Sequence, residues 1–329
     1  MSPSAITTPY PYPYPYPYPY PYPIWRFHMQ VFVTGASGHI ASAVIPELLS
    51  NGHQVIGLAR SDASASKVQA LGAEVRRGEL ADLEGLREAS SEADGVIHLA
   101  FDHDLMRTGQ MAKAAAGEAA AIETFGAALA GTDKPLVSTS GTLMLAMSGI
   151  KDRPGTEGDI IPGGLRVDGE NHVIGLAEQG VRSSVIRLAP MVHSDLDKHG
   201  FTPSLIGFAK AHGAAAYVGD GANRWPAANT RDIGVLYRLA LEKAPAGTRL
   251  HGVADEGIPF RTVAETIASQ LGVEARSVTP EQAPQYLEFL ASFAQLDGPA
   301  SNARTHKLLG WQPTQPGWVE DVKSGHYFA

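Results

Sequence analysis

From residue 30 onward the chain switches between two hydrophobic periods. Val31-Phe32-Val33 is an unbroken run of β-branched and aromatic residues that stops at Thr34-Gly35. Such a run predicts a buried strand. Ile40, Val44, Ile45, Leu48 and Leu49 then recur at helical intervals, as on a helix with one apolar face. The couplet repeats. Strands are expected at 54–59, 74–77, 95–100, 135–138 and 183–188, and helices at 65–71, 82–89, 105–129 and 166–179, the last broken at Gly180. Strands alternating with helices at this spacing predict an α/β fold, a parallel sheet covered on both faces.

Past Met191 the pattern loosens. A helix is expected at 205–212, a short strand at 214–218, a helix at 231–241 and a returning strand at 251–253. The rest reads as mostly helical, over 261–270, 280–290 and around Lys307-Leu308-Leu309. Asp232 reads as a cap or first-turn acid. Arg224 and Trp225 either line a pocket or pack beneath a loop. No internal repeat is visible.

Residues 9–23 are a strict Pro-Tyr repeat. Alternating proline removes every second amide donor, so a polyproline-II-like tail is expected. The repeat is either a ligand for a proline-recognising domain or a disordered leader, and the second reading is the simpler. Met29 stands directly before the first strand, where an initiator methionine would. The repeat also holds most of the tyrosines, leaving Tyr217, Tyr237, Tyr286 and Tyr327 for the rest of the chain.

Bulk properties narrow the partners. The 329 residues are 44% hydrophobic and 18% charged, with a formal net charge of −8, ordinary values for a globular protein. No basic stretch offsets that charge, which argues against nucleic acid and anionic membranes. No apolar run approaches the roughly 20 residues of a membrane helix. Without cysteine there is no disulfide, thiol nucleophile or iron–sulfur ligation, which fits a reducing, cytoplasmic location. No histidine pair stands at metal-ligand spacing, so no metal is expected.

The chemistry begins at Gly35-Ala36-Ser37-Gly38-His39-Ile40-Ala41, a G-x-x-G-x-x-A turn between the first strand and helix. The unpaired N–H groups at such a helix start suit a pyrophosphate. Gly35, Ser37, Gly38, His39 and Ile40 are therefore expected to hold a dinucleotide. Arg60, just past the second strand, stands where a free ribose hydroxyl usually meets a carboxylate. A cation there suits a 2′-phosphate, which favours NADP(H) over NAD(H). Ser61 and Lys67 are lesser contributors. Asp82 caps a helix or contacts adenine. Ligands of open parallel sheets gather at the strands' carboxyl ends. That places Leu99, Ala100, Phe101 and His103 at the site, whereas His98, inside the strand, reads as a hydrogen-bonded interior residue.

Together these motifs resemble an extended short-chain dehydrogenase/reductase of the NAD(P)-dependent epimerase/dehydratase branch. The resemblance rests on Thr34-Gly35-x-x-Gly38-x-Ile40, Asp82, Val96-Ile97-His98-Leu99-Ala100 and Val137-Ser138-Thr139-Ser140. Arg187-Leu188-Ala189-Pro190, Gly219-Asp220-Gly221-Ala222-Asn223 and Asp232-Ile233-Gly234 extend it over 29–329. It implies a Rossmann-type nucleotide domain at 29–190, completed by a strand and helix near 230–253. A smaller, mostly helical substrate region would occupy 191–229 and 254–329, after a 1–28 leader. It also implies Pro190 and Val192 near the nicotinamide, a small-molecule substrate, and a homodimer, dimers being common in that family.

The family's catalytic set is a Ser or Thr, a Tyr, and a Lys four residues on. Ser140 matches the first. Counting back from Gly180 and Arg187 puts Arg166 at the Lys and Pro162 at the Tyr. Sliding the register puts Arg166 at the Tyr and Glu170 at the Lys. Neither register offers a tyrosine. Proline has no proton to give, and Arg166 is too weak an acid but can hold the ribose or an alkoxide as a fixed cation. Substitute acids are His103, His193 and Tyr217, or water. The resulting expectation is an atypical NADP(H)-dependent reductase of a carbonyl-type small molecule. A non-redox isomerase, lyase or cyclase, and a nucleotide sensor, are the alternatives.

Overall fold

The computed structural model describes residues 28–328 apart from 104, 106 and 107, so the Pro-Tyr leader lies outside the described residues. The amino-terminal half alternates as the hydrophobic pattern requires. It runs β1 (Gln30–Thr34), α1 (Ala41–Ser50), β2 (Gln54–Ala59), α2 (Asp62–Ala70), β3 (Glu74–Arg77), α3 (Leu83–Glu92) and β4 (Gly95–His98). Next come α4 (Met111–Leu129), β5 (Pro135–Gly141), α5 (Leu143–Met147), α6 (Leu165–Gly175), β6 (Arg182–Leu188) and β7 (Met191–His193).

The remainder is α7 (Phe201–His212), β8 (Ala214–Val218), β9 (Arg224–Asn229), α8 (Thr230–Lys243), β10 (Thr248–Gly252) and β11 (Asp255–Pro259). It closes with α9 (Phe260–Leu271), β12 (Glu274–Val278), α10 (Ala283–Leu287), α11 (Ala303–Leu309) and α12 (Trp318–Lys323).

Seven strands form one sheet in the order β3-β2-β1-β4-β5-β6-β10, every neighbouring pair parallel. This is a Rossmann-type doubly wound sheet, and its strand order reverses between β1 and β4. One face packs through Val33, Val44, Ile45, Val137, Ile233 and Leu236 against α1 and α8. The other packs through Phe32, Leu86, Phe125, Leu136 and Val173 against α3, α4 and α6. A separate core around Trp225, Phe260 and Trp318 belongs to the carboxyl-terminal region. No helix among the described residues is long and apolar enough to cross a membrane.

Several boundaries differ from expectation. β5 runs on to Gly141, so Ser140 is a strand residue paired in register with Arg187. The helix expected over 105–129 is interrupted before Met111, where Gly109 has φ 75°. α2 starts early, at Asp62, because Ser61 caps it by accepting from Ser64 N at 3.2 Å. The carboxyl-terminal region carries, beside its helices, strands that were not expected. β11, β9 and β7 form a three-stranded sheet, and β12 pairs with β8. The ladder of β9 on β11 shifts register between Asp255 and Ile258, beside Pro226, which has no N–H for a regular ladder.

Candidate active site

The turn after β1 is shaped by its neighbours. Gly35 has φ 67°, and a Cβ there would lie 2.8 Å from both Leu99 C and Ala100 N. Only glycine lets the chain pass this close to the end of β4. Gly38 N donates to Gly35 O at 2.9 Å, whereas the N–H groups of Ser37, His39 and Ile40 meet no backbone acceptor among the described residues. Free amides at the start of a helix, with Gly38 exposed between them, fit an anionic diphosphate.

The residues expected at the adenosine end lie along β2 and β3. Arg60 is exposed immediately past β2 and joins no ion pair among the described residues. Arg77, which pairs in register with Ala59, is taken up by Asp62. Asp82 caps α3, accepting from Gly85 N at 3.0 Å. A cavity of about 230 Å³ lies nearby, lined by Leu58, Arg76, Gly78, Asp82 and Leu86. It is walled by β3 and α3 and includes neither Arg60 nor the glycine turn.

Beyond β4, Leu99, Ala100 and Phe101 are half-buried. His98 is interior, as expected: its Nδ1 lies 2.7 Å from the Thr34 hydroxyl. Burial, helped by the Arg166 charge, pushes its imidazole down to about 3. Arg166, in the first turn of α6, lays its guanidinium 3.9 Å from the Phe101 ring centroid. Its Nη2 donates to Glu118 at 3.1 Å and to Thr139 O at 3.4 Å. Burial raises the Glu118 carboxyl above its ordinary range, against the opposing pull of Arg166. Ser140, next to Thr139 in β5, is buried; its hydroxyl makes no hydrogen bond of good geometry, and the carboxylate it helps to keep ionised is Glu170.

The two registers for the catalytic helix part company here. Glu170 is fully buried; Arg187 donates to it from Nη2 at 2.5 Å and Arg249 from Nε at 2.7 Å. Burial would raise its carboxyl, but the Arg187 and Arg249 donors outweigh that and hold it below the ordinary range. The same Arg187 donates to Asp159 O at 2.9 Å, so this acid anchors the 151–164 loop to the sheet. Arg166, in contrast, faces the ends of β4 and β5. Pro162 is exposed and precedes α6.

Not every expected residue joins this group. Tyr217 sits in β8 inside the carboxyl-terminal core, with Arg261 5.7 Å from its ring centroid; nothing links it to Ser140 or Arg166. His193 follows Pro190 and Val192 as expected but is fully buried, its Nδ1 2.8 Å from Asp321 Oδ2. It packs into the carboxyl-terminal region because that carboxylate holds it there. His103 stays exposed, its ring 5.3 Å from that of Phe101. His39 turns its ring toward Thr230 and Asp197. Trp225 is core, 5.0 Å from Phe260 between ring centroids, and Arg224 pairs with Asp297 at 2.8 Å.

Two residues were passed over in the sequence. Glu118 is a carboxylate on the apolar face of α4 that carries Ala114, Ala121, Ile122 and Phe125, and that exception was the available signal. Tyr237 brings its hydroxyl 2.7 Å from Thr139 Oγ1. Thr139 donates to His98 O, so Tyr237 is the donor. Burial pushes its phenol far above the ordinary value, which makes it a strut between α8 and β5 rather than an acid.

Comparison with known proteins adds four findings. Residues 35–151 match a family model described as NAD(P)H-binding. An uncharacterized protein of Schizosaccharomyces pombe is 42% identical over 91% of this chain and 100% of its own length. Another, from Saccharomyces cerevisiae, is 40% identical over 91% and 99%. Among solved structures, the dTDP-glucose 4,6-dehydratase of Streptomyces venezuelae, crystallised with NAD, superposes with a TM-score of 0.71 at 18% identity. That match covers 91% of this chain and 96% of that one.

Proposed function

Since the chain belongs to one family with the two yeast proteins, on the NAD(P)-binding, epimerase/dehydratase-like branch of the short-chain dehydrogenases/reductases, we propose that it is an NADP(H)-dependent oxidoreductase reducing a carbonyl group of a small molecule. The observation that carries this reading is the Arg166 guanidinium, stacked on Phe101 beyond β4 and steadied by Glu118 and Thr139 O. Residues 29–190, with 230–253, hold the nucleotide. Residues 191–229 and 254–329 receive the substrate. Gly35, Gly38 and the amides of Ser37, His39 and Ile40 take the diphosphate, and Arg60 takes the 2′-phosphate. When bound, the nicotinamide supplies or accepts hydride.

The protein's own part is then positional and electrostatic. Holding substrate in place contributes about 7–11 kcal/mol, whereas a general acid contributes about 10²–10⁴-fold. Losing the acid therefore slows the reduction and leaves the greater part of the rate enhancement in place. Arg166 stabilises negative charge on the substrate oxygen, Ser140 donates to that oxygen, and water or His103 restores the proton.

The decisive experiment follows NADPH absorbance with the purified chain across aldehydes, ketones and enones. Consumption of NADPH that stops in Arg166→Met supports the reading. Turnover at constant NADPH would replace it with isomerase, lyase or cyclase chemistry, which the lack of any phenol facing Arg166 from α6 favours. Nucleotide binding without turnover of anything would leave a sensor.

A further inference from the structure

His39 lies in the diphosphate turn, yet its ring reaches into the carboxyl-terminal region. Close approach makes this reach short: a Cβ on Gly234 would stand 2.9 Å from Ala43 O, so α8 lies against α1 and brings Thr230 to the turn. The direction of each hydrogen bond then fixes the protons. Thr230 Oγ1 donates to His193 O at 3.1 Å and accepts from Ser194 Oγ at 3.0 Å. Its own hydrogen is used, so the 2.8 Å contact with His39 Nε2 has the imidazole as donor. A neutral His39 therefore presents a bare Nδ1 lone pair to Asp197 Oδ1, 3.6 Å away. Lone pair against carboxylate is unfavourable, and one further proton turns it into an ion pair.

Asp197 is fastened to the end of the chain. Tyr327 donates to its Oδ2 at 3.3 Å while accepting from Ser194 N at 3.1 Å. Asp321 is held between His193 Nδ1 at 2.8 Å and His326 Nε2 at 3.1 Å. The other titratable groups around His39 are His193, at the end of β7, and His199, on the segment after it; Asp195 on that segment pairs with Arg231 of α8. Burial lowers the His39 imidazole most; Asp197 raises it, and His193 and His199 lower it further.

We propose that His39 is a positioning residue that takes a second proton, on Nδ1, when the diphosphate binds, closing an imidazolium–carboxylate pair with Asp197. The pair fastens residues 321–328 to the nucleotide turn. This rests on the turn being the diphosphate site. A dianion at the amides of His39 and Ile40 favours the charged ring, and by reciprocity the charged ring favours the dianion.

The test is the affinity for NADH, which has no titrating 2′-phosphate, read by nucleotide fluorescence between about pH 5.5 and 8. Wild type is expected to bind several-fold more weakly at the upper end, with about tenfold as the limit set by a one-unit rise in the imidazole pKa on binding. His39→Gln keeps a donor for Thr230 and should show a flat profile at the weaker level. Asp197→Asn should flatten it too, which keeps the test open should one variant fold poorly. Calorimetry in buffers of different ionisation enthalpy should find proton uptake in wild type and none in His39→Gln. Equal slopes in wild type and His39→Gln, or a flat wild type, would overturn the inference while nucleotide binding stands. Absence of NADH and NADPH binding at every pH would remove the cofactor site itself, and the inference with it.

Discussion

Replacing Arg166 by methionine keeps most of the aliphatic stem and removes the charge. Two energies change. The first is structural. The guanidinium stacks at 3.9 Å on Phe101, worth about 0.5–2 kcal/mol for a partly desolvated cation over a ring. Glu118 loses its partner but does not stay charged, because burial already pushes its carboxyl up and nothing would then pull it down. It binds a proton instead. A group whose pKa is higher folded than unfolded binds more protons in the folded state, so stability falls as pH rises between the two values. The deficit of Arg166→Met should therefore be smallest near pH 4.5, grow with pH, and level off above the raised Glu118 value. The second energy is catalytic. A fixed donor beside developing oxyanion charge contributes about 2.7–4 kcal/mol. The expected loss is thus about 10²–10³ in kcat, with a smaller change in the KM for NADPH. Arg166→Lys should restore part of kcat, since it returns a cation without the stacking plane. Steady-state NADPH consumption with the best carbonyl substrate, beside urea unfolding at several pH values, measures both effects. Unchanged kcat in Arg166→Met, with folding and NADPH binding intact, would refute the assignment of charge stabilisation to Arg166.

Three further outcomes are expected. Arg60→Ala should weaken NADPH binding by about 10–100-fold, the worth of a charge-assisted contact of about 1.5–3 kcal/mol, and leave NADH within about twofold; equal losses in a fluorescence titration would remove the preference for NADP(H). Arg187→Met should lose about 3–5 kcal/mol of stability to urea, because Glu170 is left with too few partners in the interior, and Glu170→Gln in the same chain should recover part of it. Pro162→Tyr should not raise kcat, because residue 162 is exposed ahead of α6; a tenfold gain would show that the loop brings it to the reacting oxygen.

The sheet was legible wherever a strand is buried on both faces. Val31-Phe32-Val33 and Val96-Ile97 are continuous apolar runs, and their positions follow from spacing alone. Ser140 was placed correctly at the end of the fifth strand, although its membership of the strand depends on pairing with Arg187 across the sheet. β9, β11 and β12 escaped because their sequences are short, polar or interrupted by Pro226, and only partners far along the chain make them strands. At the site, the glycine turn and Arg60 stand where local spacing put them. His193 and Tyr217 went to other tasks because burial and the Asp321 carboxylate, neither visible locally, decided their surroundings. Glu118 was readable as a misplaced charge on an apolar helix face but acquires meaning only through Arg166, 48 residues away.

The missing tyrosine is a change in the path of the chain as much as in a side chain. In the wider family the Tyr and Lys stand one turn apart on one helix. Here Gly164 has φ 136° and α6 begins at Leu165, so the helix carries the cation but starts too late to carry the phenol. The preceding loop is tied down by Arg187 through Asp159 O and by Arg153, which pairs with Asp159 at 2.6 Å. Arg187 is in turn oriented by Glu170, one turn along from Arg166 on the same helix. A single short helix thus turns Arg166 toward the ends of β4 and β5 and grips the sheet with Glu170. On the proposed reading the cation is kept and the proton donor given up, an arrangement that suits substrates whose reduction depends more on being held and charge-stabilised than on a strong acid.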